Sequence, residues 1–233
     1  MKKISNLRAV FLYLIPTALS IAAVYLIMPL LRNSGWSVLA YYSAAMLIPF
    51  GIQLILAISL SEAPKLKSLN LKKLQMKDWG WIICAVLFMF ITSGLLDFTA
   101  KILAESVFTP PSWWPASTDP RLPKDTATFF GQTLAGNWGL WITATGLTIF
   151  GGLSEELFGR GYILMRQSGK YAWVLNGLLW TLSHTYTPWN YIALLPGSLA
   201  LAYVTQKKQN TTVALAIHFI VQLIPSVIML FFM

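Results

Sequence analysis

The chain alternates long apolar stretches with short polar ones, in a rhythm set by span length rather than by the 3.6-residue stripe of a surface helix. Seven runs stand out, near residues 9–31, 36–60, 79–101, 138–166, 171–187, 189–206 and 211–232. About 20 apolar residues cross the hydrocarbon layer as a helix, and an unpaired backbone group in lipid costs several kcal/mol. The runs therefore predict an all-α polytopic membrane helix bundle of about seven transmembrane helices. The fifth and sixth runs are marginal in length and the fourth is long.

Composition agrees. The 233 residues are 56 % hydrophobic and only 11 % charged, against roughly 25 % charged in a soluble domain. That excludes a disordered chain and a conventional soluble enzyme. The single cysteine, Cys84, leaves no intramolecular disulfide. A net charge of +9 would suit nucleic acid, but the basic residues sit at the ends of the apolar runs, so no nucleic-acid partner is expected. With the N-terminus inside, the cytoplasmic segments hold Lys2, Lys3, Arg8, Lys65, Lys67, Lys72, Lys73, Lys77, Arg160, Arg166, Lys170, Lys207 and Lys208. The outer segments hold Arg32, Lys101, Arg121 and Lys124, a balance of 13 against 4. This asymmetry predicts an N-in, C-out, multi-pass protein of a cell membrane, of the bacterial plasma-membrane type. The first apolar run lacks an A-x-A pattern and exceeds a signal-peptide core, so it reads as an uncleaved span.

Two connecting segments carry their own expectations. Residues 61–78 set Leu66, Leu69, Leu71 and Leu74 among five lysines, which predicts an amphipathic helix lying on anionic headgroups. Residues 104–137 hold Pro110, Pro111, Pro115, Pro120 and Pro123 with Trp113 and Trp114. The prolines forbid a long helix there, and the tryptophans suit a membrane interface. The chain thus divides into residues 1–137, with three spans and these two loops, and residues 138–233, with four spans.

Ionisable groups inside a bilayer are costly, so each is a candidate for function. Asp97 lies near a span end, within reach of interfacial water. That leaves Glu155, Glu156 and Arg160 in the fourth run, His184 in the fifth and His218 in the seventh. Successive helical residues point about 100° apart, so the two glutamates face different ways. Glu156 and Arg160 are i, i+4 neighbours and can pair, whereas Glu155 has no cation at helical spacing and suits a general base or acid. Glycines 151, 152, 159 and 161 make the helix thin and let its neighbours approach. His218 and Gln222 are also i, i+4 on one side of their helix. At 1.5 Å per residue His218 lies ~11 Å, Glu155 ~17 Å and His184 ~20 Å from the cytoplasmic helix ends. Their meeting requires tilted helices and a fifth helix that begins deeper.

At this constellation the sequence resembles the CAAX-protease and bacteriocin-processing family of intramembrane proteases, also called the Abi family. The family pattern is a glutamate pair with an arginine four residues after the second, then aromatic-x-x-x-His, then His-x-x-x-Asn or Asp. Glu155-Glu156-x-x-x-Arg160-Gly161 matches the first element, Trp180-x-x-x-His184 the second with tryptophan for the usual phenylalanine, and His218-x-x-x-Gln222 the third with glutamine for asparagine or aspartate. Pro196-Gly197-Ser198 through Asn210-Thr211-Thr212 resembles the family's small-residue span and the turn before its last helix. The resemblance covers residues 138–232 and makes 138–233 the catalytic core.

The resemblance implies that Glu155 acts with His184 to activate a water for attack on a peptide carbonyl. It implies that His218 and Gln222 stabilise the oxyanion, while Glu156 and Arg160 hold the helix in register. Glutamine is one methylene longer than asparagine, which sets the position of that donor apart from the family's. Glu155, His184 and His218 would also form an open zinc set. The metal-free reading is preferred, with no cofactor, because it uses Gln222 and zinc does not. The expected activity is endoproteolysis of a peptide or membrane-protein segment, of the bacteriocin-processing or self-immunity type. Two alternatives stand beside it: an inactive relative acting as an immunity protein or membrane scaffold, and a small proton-coupled transporter. Nothing in the sequence fixes the oligomeric state.

Overall fold

A computed structural model describes residues 2–123 and 128–232. Lys124, counted above among the outer basic residues, lies outside the described residues. Among the described residues the architecture is helical. Eight helices follow in order: α1 (Asn6–Arg32), α2 (Val38–Ser59), α3 (Met76–Leu96), α4 (Phe98–Ser106), α5 (Trp138–Glu155), α6 (Ala172–Ser183), α7 (Tyr191–Lys208) and α8 (Thr211–Phe232). One antiparallel hairpin, Thr128–Phe129 with Gln132–Thr133, interrupts the loop before α5.

Local chemistry explains where these helices begin and bend. Ser5, Ser37 and Asn137 each accept a hydrogen bond from a backbone N–H three residues on, capping α1, α2 and α5. Gln75 and Asp78 form a capping box at the start of α3. Within α1 the backbone widens to a π-helical turn over Ala23–Ile27, just before Pro29. Proline lacks the N–H and clashes with the preceding turn, so the ladder must open there.

Large apolar side chains face outward along the first three helices, among them Phe11, Leu26, Ile55, Leu87, Ile91 and Leu95. A soluble protein does not leave so wide an apolar surface bare; a bilayer covers it. Among the described residues four helices, α1, α2, α3 and α8, are long and apolar enough to cross a membrane. The expected boundaries and the other expected spans differ in places. The apolar run at 79–101 is divided at Asp97 into α3 and α4. The run at 171–187 yields only the 12 residues of α6, about 18 Å long and short of the ~30 Å hydrocarbon layer. The run at 138–166 carries Glu155, Glu156, Arg160 and Arg166.

The helices run back and forth between two ends. At one end Ile4 N–H donates to Arg166 O and Thr211 N–H to Asn70 O. At the other, Arg32 donates to Trp113 O and Gly136 N–H to Leu230 O. The closest crossing is α6 on α7. There a Cβ on Gly177 would lie 3.0 Å from Leu199 Cα, and the hydroxyls of Thr181 and Ser198 bond at 2.7 Å across the seam.

The first of the two loops differs from expectation. Residues 61–78 are not one surface helix: a single helical turn, Lys65–Ser68, follows Pro64, the chain turns at Leu69–Asn70, and it then runs without regular structure up to α3. Leu69 and Asn70 are buried, with Leu69 packed in the cluster of Leu157, Phe158 and Tyr162. Polar anchors decide this. Arg166 donates to Ser68 O and Ser68 Oγ, Asn70 Nδ2 to Gln209 O, and Thr211 Oγ1 to Leu69 O. In the other loop Trp114 is buried against Trp189, centroids 4.9 Å apart, and Trp113 packs on Tyr25. These tryptophans pack on the end of the bundle.

Candidate active site

The peptide does not leave its helical path at Glu155. It continues through a π-helical segment, Glu156–Ile163, and a 3-10 turn, Leu164–Arg166. Such widened turns recur at functional sites. Here the widening begins between the two glutamates, and the weak helix formers Gly159 and Gly161 lie inside it. Each glycine of the run admits a different neighbour. A Cβ would meet Phe50 of α2 at Gly151, Gln222 and His218 of α8 at Gly152, Tyr13 of α1 at Gly159, and the Leu69 carbonyl at Gly161.

The paired glutamates have opposite surroundings. Glu156 is fully buried. Its Oε1 accepts from His218 Nδ1 at 2.8 Å and lies 3.2 Å from Arg160 Nη1. Arg160, equally buried, stacks over the Trp180 ring at 4.9 Å. An ion pair of this kind holds together because neither charge has water to return to. Glu155 instead faces a cavity of about 440 Å³, whose wall includes Trp180, His184, Tyr186, His218 and Gln222.

His184 caps the short helix α6, where the backbone leaves helical angles. The helix begins at Ala172 and not deeper, yet the imidazole reaches Glu155. Its Nδ1 donates to Trp180 O at 2.9 Å, so Nε2 is left as an acceptor. Nε2 stands 3.8 Å from Glu155 Oε1. This separation is too long for a direct hydrogen bond, and two acceptors need a hydrogen donor between them. A water about 2.8 Å from each would donate one hydrogen to the carboxylate and one to the imidazole.

On the facing wall Gln222 Nε2 lies 2.9 Å from His218 Nε2. With Nδ1 bound to Glu156, the imidazole and the carboxamide form one rigid polar edge. Trp180 touches all sides: its ring lies 4.2 Å from His184 and 6.3 Å from His218, with Arg160 on its face. All six residues singled out from the sequence, Glu155, Glu156, Arg160, His184, His218 and Gln222, therefore gather at one place. The Glu156–His218 bond was not expected from the sequence. Helical spacing gave Glu156 its arginine, but nothing in the spacing reported a partner 62 residues away.

Zinc fits this arrangement poorly. Among the described residues no three His, Cys, Asp or Glu side chains form a metal-holding group. His218 already spends Nδ1 on Glu156 and Nε2 on Gln222.

Residues 137–224 match the model of the Rce1-like family, the type II CAAX prenyl endopeptidases. This is the family the motifs resemble. The matched segment opens at Asn137, the cap of α5, and closes two residues after Gln222, so all six residues fall within it. No curated protein and no solved structure matches the chain.

Proposed function

We propose that the protein is an intramembrane endopeptidase that hydrolyses a peptide bond with a water activated by Glu155 and His184. One observation carries this reading: Glu155 and His184 face each other at 3.8 Å across a cavity, opposite a fixed His218–Gln222 edge. Glu155 takes a proton from the bridging water as its oxygen attacks the carbonyl carbon. Gln222 gives one N–H to His218 Nε2 and turns the other towards the developing oxyanion, so the His218–Gln222 edge stabilises it as a unit, in a wall that the Glu156–Arg160 pair holds in place. Glu155 then returns the proton to the leaving amine. No step needs a metal.

The substrate is an apolar stretch of a peptide or membrane protein, of the bacteriocin-processing or self-immunity type. The bundle sits in a bacterial plasma membrane as about seven spans with the N-terminus inside. α1, α2, α3 and α8 cross the whole layer, and the α5, α6 and α7 region crosses it as a folded unit around the cavity. The exposed lysines at 65, 67, 72 and 73 meet anionic headgroups.

The test is cleavage of quenched fluorescent peptides by the full chain in detergent, with and without chelator. Glu155→Gln should lower the rate by about 100-fold or more, the usual contribution of a general base, and chelator should leave the wild-type rate unchanged. Retained cleavage in Glu155→Gln would sink the mechanism. Loss on chelation with recovery on zinc would replace it with metal catalysis.

A further inference from the structure

Around the Glu156–Ile163 segment, next to the cavity, lies a buried polar cluster that extends beyond the residues placed in the proposed reaction. Beyond the 3.2 Å ion pair of Arg160 Nη1 with Glu156 Oε1, Glu156 Oε2, Asn176 Oδ1, Trp180 Nε1, the Tyr13 hydroxyl and the guanidinium nitrogens of Arg160 are enclosed with no well-aligned hydrogen bond in the protein. Arg160 brings five N–H donors, and Tyr13 and Trp180 one each. The acceptors facing them are few. A lone orphan of this kind is a packing defect, but seven atoms on five neighbouring side chains are a site. Buried water joins such groups, typically through about three hydrogen bonds each.

The position of Tyr13 is specific. Its hydroxyl rests directly on Gly159, where a Cβ would collide with it. Its ring meets Phe158 edge-on at 5.9 Å. Arg160, Glu156 and Asn176 are its polar neighbours. Asn176, fully buried on α6, donates from Nδ2 to Gly159 O at 2.9 Å, across the widened turn itself. Tyr13 belongs to α1, far outside the matched residues 137–224.

We infer that Tyr13 and Asn176 are positioning residues. Together with ordered water held among them, they complete the hydrogen bonds of Arg160 and of Glu156 Oε2, and so fix the carboxylate that orients His218. The first helix is then part of the catalytic apparatus. The inference rests on the reading of His218 as half of the oxyanion edge, and its test separates the two.

The variant is Tyr13→Phe in the full chain, which keeps the ring and removes only the hydroxyl. Peptide cleavage should lose about 10-fold in kcat with KM unchanged, the cost of one hydrogen bond to a charged group. The second readout is independent of activity. The chain has only two histidines, so ¹⁵N-histidine NMR resolves both, and Tyr13→Phe should move the His218 resonances while those of His184 stay. Gly159→Ala, which displaces the same hydroxyl by steric contact, should move them likewise. A His218 shift in a protein that cleaves nothing would uphold the positioning role and dismiss the protease. Unchanged His218 resonances in both variants would overturn the inference, whatever happens to kcat.

Discussion

Gly152→Ala probes the oxyanion edge more sharply than removal of any polar group, because it adds one methyl and takes nothing away. A Cβ at 152 would lie 3.1 Å from Gln222 Oε1 and 3.2 Å from His218 Cδ2. Non-bonded atoms prefer about 3.5–4.0 Å, so the edge must retreat by roughly 0.3–0.5 Å. A misplacement of 1 Å costs about 100-fold. Scaled logarithmically, the retreat should lower kcat by about 4–10-fold, or ~1 kcal/mol of barrier. Folding should not suffer, since alanine is favoured over glycine in a helix interior by about 0.5–1 kcal/mol. Gly146→Ala on the same helix is the control, because a Cβ there meets nothing within 4 Å. The assay is steady-state peptide cleavage in detergent, with the thermal midpoint read in parallel. A kcat within twofold of wild type, or a loss matched by a fall in the thermal midpoint, would refute the argument.

Three further outcomes follow from particular contacts. Gln222→Asn restores the residue type of the family pattern yet shortens the side chain by about 1.5 Å. The 2.9 Å contact to His218 Nε2 opens, and cleavage should fall about 10-fold or more; a gain would mean that the helices adjust to the shorter donor. Arg166→Lys replaces a fork that reaches Ser68 O at 3.1 Å, Tyr162 O at 3.2 Å and Ser68 Oγ at 2.6 Å. It should cost about 1–3 kcal/mol, seen as a lower thermal midpoint and faster proteolysis between residues 61 and 75. The Arg121 guanidinium hydrogen-bonded to Asp119 holds that carboxyl below the usual carboxylate range. Its contribution is therefore complete above the unfolded value and fades as pH falls through the lower folded one. Limited proteolysis of the loop before α5 should rise in acid, and Asp119→Asn should remove that dependence.

The sequence exposed the helical class because every buried or lipid-facing run is long and continuous, and it exposed the six polar residues because charge inside such runs is rare. It did not expose α6 as a partial span. Tyr171 and Thr185–Thr187 extend the apolar count beyond the helix, and only the non-helical backbone at His184 shows where the helix stops. The widened turn after Glu155 was likewise hidden, since hydrophobic periodicity barely separates a hydrogen-bond ladder spaced four residues apart from one spaced five; Gly159 and Gly161 were its one local trace. The segment at 61–78 misled for a different reason. Leucines among lysines look the same whether the leucines dip into headgroups or, as with Leu69, into the protein. What decided between them were backbone acceptors at Ser68 and Leu69 waiting for Arg166 and Thr211, and sequence spacing does not display such pairings.

The departure at residue 222 makes physical sense once the inner carboxylate is in view. His218 has its Nδ1 on Glu156, and Glu155 lines the same cavity as its Nε2. A carboxylate at 222 would set a third negative charge around one imidazole, and it would offer only acceptors to an incoming oxyanion. A carboxamide avoids both problems: it adds no charge, and its second N–H is left to point at substrate. Its extra methylene is absorbed where α5 and α8 come together over Gly152, which has no side chain to hold the longer residue back. Glycine at 152 and glutamine at 222 are therefore best understood as one adaptation: the missing Cβ on one helix makes room for the longer donor on the other.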